Sequence, residues 1–212
     1  MAIAGKASRM KFKLFGVNYY ISVLFCVLLT FMLIVDVTGF MAISLFAVLT
    51  HELGHIIIMH RLKCCPRQVS LTSYGVGITG PCLANKRDEI KIAMAGPVAN
   101  FLMTIVFLVL HRYTGDEMYI VVAVIQTIVG GVNLLPVRGL DGGTVVYNAL
   151  SLFTSESKSN LIMTIISLFV AAGMTALGVT LLFKGQANPS LLLLGVYLVF
   201  LNIFKMNNDD CF

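Results

Sequence analysis

A His-Glu-x-x-His motif, His51-Glu52-Leu53-Gly54-His55, lies inside a long apolar stretch of the chain. Residues four apart share one face of a helix, so His51 and His55 could both point at a single metal ion. Glu52 lies one residue further round, where it could hold an attacking water and remove its proton. Ionisable groups buried in hydrocarbon are costly unless they have partners. The motif therefore predicts a metal-dependent hydrolytic site.

A third metal ligand is needed, because catalytic zinc commonly takes three protein ligands and leaves one position for water. Asp141 is the candidate, since it follows Pro136 and is flanked by glycines that let the backbone unwind and approach closely. The alternative for Asp141 is an ordinary solvated Asp-Gly turn. The remaining candidates are expected at the outer or interfacial ends of the apolar segments: Asp36, His60, His111, Asp116 and Glu117.

The expected depths of His51 and Asp141 in the membrane do not agree if both lie on continuous helices. At 1.5 Å per residue, His51 lies roughly 16 Å from the outer end of its segment. A continuous helix from Met118 would carry Asp141 roughly 34 Å in the same direction. The two meet only if the chain stops descending near Pro136.

Two asparagines in apolar segments are tentative substrate-binding residues. Asn133 precedes Asp141 by eight residues and could bind a substrate carbonyl or the developing oxyanion, or it could simply pack the unwound segment. Asn100 follows Gly96-Pro97 in another segment and must hydrogen-bond to something in hydrocarbon, which favours a packing role.

The composition is that of a polytopic membrane protein, with 58% apolar residues, 12% charged residues and a mean hydropathy of +0.91. Soluble domains carry about 25% charged residues. We therefore predict an all-α polytopic membrane protein with about six transmembrane helices. The predicted spans are Tyr19–Val35, Phe40–Met59, Ile90–Leu110, Met118–Leu135, Leu161–Phe183 and Leu191–Phe204.

The basic residues predict the orientation of these spans and argue against nucleic acid as a partner. With a cytoplasmic N-terminus, 13 of the 15 Lys and Arg residues fall on the cytoplasmic side. Both termini are then cytoplasmic, and the end of the second span, which carries His51 and His55, lies toward the cytoplasmic face. The net charge of +5 is thus explained by topology in the lipid bilayer.

The connection Gln68–Ala84 differs from the apolar segments around it. Apolar and polar residues alternate, and Gly75, Gly77 and Gly80-Pro81 supply turn residues, so we predict a short membrane-associated β-hairpin-like loop. Its edge strand could pair with an extended peptide. The alternative is an ordinary connecting loop.

Together these motifs resemble the site-2 protease family of intramembrane zinc metalloproteases. The resemblance covers about residues 45–145 and rests on His51–His55, Gly96-Pro97 with Asn100, and Asn133 to Gly142. The six-span layout looks most like the stage IV sporulation protein FB subgroup. Many members of the family carry an inserted PDZ domain, and the sporulation subgroup often carries a C-terminal CBS domain; we expect neither in this chain.

The resemblance implies Zn²⁺ held by His51, His55 and Asp141, with Glu52 as the catalytic base. It also implies that Asn133 and the Gln68–Ala84 loop belong to a substrate groove. Residues 1–212 would form a single transmembrane protease domain, with a catalytic core at about 40–145 and extra spans at about 19–35, 161–183 and 191–204. The expected substrate is a membrane-tethered protein, such as a transcription-factor precursor, and a membrane regulatory or inhibitor protein is a further expected partner.

Two other functions remain open from the sequence. A membrane metal transporter could use histidines and an aspartate as transient ligands, and a catalytically silent scaffold could bind a partner without cutting it. Against the transporter, Glu52 has the spacing of a catalytic base and no second metal pathway is visible. Against the scaffold, all four expected active-site residues are present.

Overall fold

The architecture is described from a computed structural model. The structure describes residues 9–14, 17–22, 30–31, 33–64, 68–72, 75–79, 85–184, 192–199 and 202.

Five helices carry most of the described chain. Three of them are long and apolar enough to cross a membrane, which confirms the prediction of a helical membrane protein. A fourth is apolar but shorter, and the fifth is a short helix that begins at Asp141. In chain order the helices are α1 (Phe40–Arg61), α2 (Lys86–Thr114), α3 (Met118–Asn133), α4 (Asp141–Ser151) and α5 (Glu156–Phe183).

The predicted second, third and fifth spans correspond to α1, α2 and α5, each of which extends beyond the predicted limits. The predicted span Met118–Leu135 ends earlier, at Asn133, and its 16 residues rise only about 24 Å. That length falls short of a hydrocarbon core of about 30 Å. Residues 192–199 and 202 of the predicted sixth span are helical, and the rest of that span lies outside the described residues.

A four-stranded sheet, in the order β1-β2-β3-β4, accompanies the helices. Strands β3 and β4 pair antiparallel within the segment for which a hairpin-like loop was predicted. Strand β2 joins them by pairing parallel to β3 and antiparallel to β1. The strands are β1 (Arg9–Leu14), β2 (Val17–Ser22), β3 (Gln68–Thr72) and β4 (Gly75–Thr79).

The predicted start of the first span at Tyr19 is wrong, because Tyr19–Ser22 belongs to strand β2. Hydropathy alone cannot separate these apolar residues from the helix that follows. The strand exists because β3, about 50 residues later in the chain, supplies its parallel hydrogen-bonding partner. Helical structure is present at residues 30–31 and 33–35, and residues 23–29 lie outside the described part.

Helix α2 is the centre of the helical arrangement, since it packs against α1, α3 and α4. Its first turn is capped by the Asn85 side chain, which accepts a 2.9 Å hydrogen bond from the backbone N–H of Asp88. Helix α1 begins after Asp36, whose carboxylate accepts hydrogen bonds from Thr38 and from the backbone N–H of Met41. The hydrogen bond from the Thr38 hydroxyl lowers the pKa of Asp36.

The connection between α3 and α4 packs against α5 and the helical residues 192–199. Val137 is fully buried in a cluster with Ala171 and Leu198. The backbone N–H of Arg138 donates to the Ser167 hydroxyl at 3.0 Å. These contacts hold residues 134–140 in place and so determine where α4 begins.

Candidate metal centre

Three side chains from two distant parts of the chain converge at one point. The Oδ2 atom of Asp141 lies 2.8 Å from Nε2 of His51 and 3.2 Å from Nε2 of His55. The two Nε2 atoms are 3.2 Å apart. Both histidines are buried, and the Asp141 side chain is 21% exposed, although its Oδ2 atom, which faces the histidines, is buried.

The tautomer of His55 is set by the backbone of α2. Its Nδ1 atom lies 2.7 Å from the carbonyl oxygen of Ile92, which can only accept a hydrogen bond. Nδ1 therefore carries the proton, and the lone pair of Nε2 points into the centre. This is the usual support for a metal-binding histidine.

Gly96 forms the wall of the centre on the side of α2. A Cβ atom at this position would lie 2.5 Å from Nε2 of His55 and 2.7 Å from Nε2 of His51. These distances are shorter than any normal contact, so only glycine leaves both imidazoles room. From the sequence, Gly96-Pro97 was named only as part of the motif on which the family resemblance rests, because the contact of Gly96 with the histidines depends on how α1 and α2 cross.

Asp141 lies close to the histidines because the chain does not continue along the axis of α3 beyond the end of that helix. Helix α3 ends at Asn133, residues 134–140 turn, and Asp141 is the first residue of α4. The turn is tight, since a Cβ atom at Gly142 would collide with the carbonyl oxygen of Leu134. The difference in depth expected for a continuous helix is thereby removed.

Glu52 follows His51 on α1 and is half-buried. It is not one of the converging side chains, since the group that could hold a metal ion within the described residues consists of His51, His55 and Asp141. Its carboxylate lies within electrostatic range of the His55 imidazole. A role in proton transfer remains a prediction for Glu52.

The donor set fits a zinc ion. Two imidazole nitrogens and one carboxylate oxygen all lie within 4.8 Å of one another, as required for ligands that each approach zinc at about 2.0–2.2 Å. The orientation of His55 directs the lone pair of its Nε2 atom toward the other two side chains, as binding to a shared metal ion requires. We therefore take these three residues as the ones that would hold the metal.

Asn133 occupies the last residue of α3, directly before the turn that leads to Asp141. Its Nδ2 atom donates a 2.9 Å hydrogen bond to the carbonyl oxygen of Val129, one turn earlier. The second N–H of the amide is not used by this bond. A role in binding substrate remains a prediction for Asn133.

Asn100 lies between α2 and α3 and has no exposed surface. Its Nδ2 atom donates to the backbone oxygen of Gln126 at 3.5 Å, and its Cβ packs against Gly130. The burial favours the packing role over contact with substrate. Nearby, the hydroxyls of Thr104 and Thr127 lie 3.1 Å apart and link the same two helices.

The side chain of Gln126 is the least satisfied group in this interface. It is fully buried, and neither Oε1 nor Nε2 has a hydrogen-bond partner within the described part of the chain. Replacing Gln126 by Met keeps the volume and removes the unsatisfied amide, so we expect the free energy of unfolding to rise by about 1–3 kcal/mol. Thermal unfolding of the detergent-solubilised protein, followed by circular dichroism, measures the change.

Thr127 provides the matched control, because its hydroxyl donates to the backbone oxygen of Ala123 at 2.9 Å. Thr127→Val should lower the free energy of unfolding by about 0.6 kcal/mol, the average for such bonds in membranes. A loss of stability in Gln126→Met would contradict the prediction and would mean that the amide has a partner in the folded protein.

The other ionisable residues considered from the sequence lie away from the centre. Asp36 serves the start of α1, and His111 Nδ1 lies 2.9 Å from the backbone oxygen of Asp116 at the end of α2. His60 is exposed on the last turn of α1. The sequence did not indicate the carbonyl of Ile92, because any residue type supplies a backbone oxygen.

The described residues thus form apolar helices of membrane-spanning length and a His-His-Asp centre. The chain was then compared with known proteins. No family model matches the chain. Over 110 residues it is 27% identical to a zinc metalloprotease of Methanocaldococcus jannaschii. The aligned stretch covers 50% of this chain and 32% of that protein, so the chain spans about a third of the length of this curated relative.

The structure is also similar to the solved site-2 protease from Methanocaldococcus jannaschii. The TM-score is 0.64 at 22% sequence identity, and the match covers 92% of this chain and 94% of the other. The chain therefore has the fold of a site-2 protease.

Proposed function

We propose that this protein is an intramembrane zinc metalloprotease that cleaves a membrane-tethered protein within or near its transmembrane segment. The observation that carries the proposal is the convergence of His51, His55 and Asp141 on one point, with Glu52 next to His51 in α1. The fold shared with a site-2 protease and the likeness to a zinc metalloprotease support it.

Zinc, when bound, would lower the pKa of water towards neutrality and polarise the scissile carbonyl. The residues of the chain then have separate tasks. Glu52 accepts the proton of the attacking water and passes it to the leaving amine. His55 is held in the required tautomer by the Ile92 carbonyl, and the glycine at position 96 keeps α2 from crowding the histidines. Asn133, at the end of α3, offers its remaining N–H to the substrate carbonyl.

A transmembrane substrate must unwind before it can be cut, because its backbone is fully hydrogen-bonded as a helix. Strand β4 stands at one edge of the sheet, so pairing with it would replace the backbone hydrogen bonds that the substrate loses. The distribution of basic residues supports an orientation with both termini and the centre toward the cytoplasm.

A transcription-factor precursor is the kind of substrate that this orientation suits, since a cut near the cytoplasmic side releases a cytoplasmic domain. A membrane regulatory or inhibitor protein that controls access is proposed as a second partner. Within the family, the layout of the motifs favours the stage IV sporulation protein FB subgroup, and a role in sporulation is proposed on that basis alone.

Asp141→Ala tests the metal centre. The change removes one of three converging ligands, so we expect zinc content to fall from about one ion per chain to near zero. The measurement is zinc analysis of the purified protein in detergent, combined with cleavage of a tethered reporter in liposomes. Asp116→Ala, at the far end of α2, is the control and should retain both zinc and cleavage.

Wild-type protein that binds no zinc would overturn the proposed function. Zinc retained in full by Asp141→Ala would exclude Asp141 as a ligand.

A further inference from the structure

A cavity of about 550 Å³ with several polar lining residues is formed partly by α4, the helix that begins with Asp141. It lies between the start of α2, the 134–140 connection, α4 and the start of α5. Helix α4 links it to the centre, because Asp141 begins this helix and Asn148 follows seven residues later, about 10 Å away. The side chains that matter for its chemistry are Glu89, Arg138, Tyr147, Asn148, Glu156 and Asn160.

Glu89 is the carboxylate of this cavity with no partner in the described part of the chain. Glu156 is paired with Lys86, whose Nζ lies 3.1 Å from its Oε1 atom. Arg138 donates through Nη2 to the backbone oxygen and the side-chain oxygen of Asn160. Glu89 is half-buried and forms no ion pair or hydrogen bond through its side chain with another described residue. Its charge is therefore available to a ligand.

Asn148 adds a second, independent sign of a binding site. Its residue surface is only 2% exposed, and it lines the cavity. No other residue of the described ranges hydrogen-bonds to its amide. The donors and the acceptor of this amide are therefore available to a molecule that enters the cavity.

We propose that this cavity receives a Lys or Arg side chain of the substrate, with the Glu89 carboxylate pairing the cation and the Asn148 amide bonding to the substrate backbone. The inference rests on the proposed proteolytic function. Cytoplasmic flanks of transmembrane segments are rich in Lys and Arg, so the substrate carries such residues where the cavity would meet it. An extended peptide rises about 3.3 Å per residue, so the roughly 10 Å from Asp141 to Asn148 correspond to about three residues of substrate.

The test measures binding and does not require cleavage. Fluorescent peptides with an apolar span of about 20 residues and a flank containing Lys, its uncharged isostere norleucine, or Glu are titrated onto the full chain carrying Glu52→Gln. Without further change, the Lys peptide should bind about tenfold more tightly than the norleucine peptide. Adding Glu89→Gln should remove this preference, and Glu89→Lys should favour the Glu peptide.

Asp88→Asn is the matched control, because Asp88 neighbours Glu89, carries the same charge and is paired with Lys91 at 2.7 Å. It should keep the full preference for Lys. Three results would overturn the proposal. The Lys and norleucine peptides could bind equally, or Glu89→Gln could weaken the binding of both equally. The Glu peptide could also bind most tightly to the protein in which position 89 is unchanged.

The same peptides are also given to the wild-type enzyme, and this step separates the two proposals. A Lys preference without cleavage of any peptide supports the subsite and contradicts the proposed protease. Cleavage without a Lys preference supports the protease and overturns the subsite.

Discussion

Glu52→Gln is expected to abolish cleavage while the metal stays bound. The amide has nearly the shape of the carboxylate but cannot accept a proton from water, and loss of such a general base lowers rates by about 10²–10⁴-fold. Because Glu52 is not one of the three converging ligands, zinc content should equal that of the wild type. Zinc analysis and cleavage of a tethered reporter in liposomes are measured on the same preparation.

Glu117→Gln makes the same chemical change at an exposed residue before α3 and should leave both measurements unchanged. The Glu52 variant also separates the three functions open from the sequence. Zinc transport that survives in Glu52→Gln would favour a transporter, and partner binding without any wild-type cleavage would favour a scaffold. Cleavage above about a tenth of the wild-type rate would exclude Glu52 as the base.

Gly96→Ala is expected to destroy the metal centre with the addition of a single methyl group. The new Cβ would lie 2.5 Å from Nε2 of His55, so either α2 must move away from α1 or the imidazole must turn. Both responses separate ligand atoms that must approach zinc at about 2.0–2.2 Å. We expect zinc affinity to fall at least about tenfold and cleavage to fall with it.

The control for this prediction is Gly131→Ala in α3, where a Cβ atom would meet no other atom within 4 Å. That change should preserve zinc binding and add up to about 1 kcal/mol of helix stability. Competition with a fluorescent zinc chelator measures both affinities, and circular dichroism checks the helical content. Wild-type zinc affinity in Gly96→Ala would show that the helices do not cross as described.

Local sequence patterns predicted the apolar helices and the placement of His51 and His55 on one face of a helix. Helices α1, α2 and α5 follow from hydropathy and length, since a lipid-exposed backbone must bond within its own segment. The shared face of His51 and His55 follows from the helical repeat. The prediction that a transmembrane helix begins at Tyr19 was wrong for Tyr19–Ser22, because these residues form strand β2, whose hydrogen-bonding partner lies about 50 residues away in the chain.

The sequence by itself thus determined the apolar helices and the placement of two histidines on one helix face, because helix periodicity and burial in lipid act over a few residues. Only the tertiary structure decided that Asp141 completes the centre. That outcome depends on where α3 stops and on Val137, which packs against α5 and the helical residues 192–199. It also decided the tautomer of His55 and the space beside Gly96, because both depend on how α2 crosses α1.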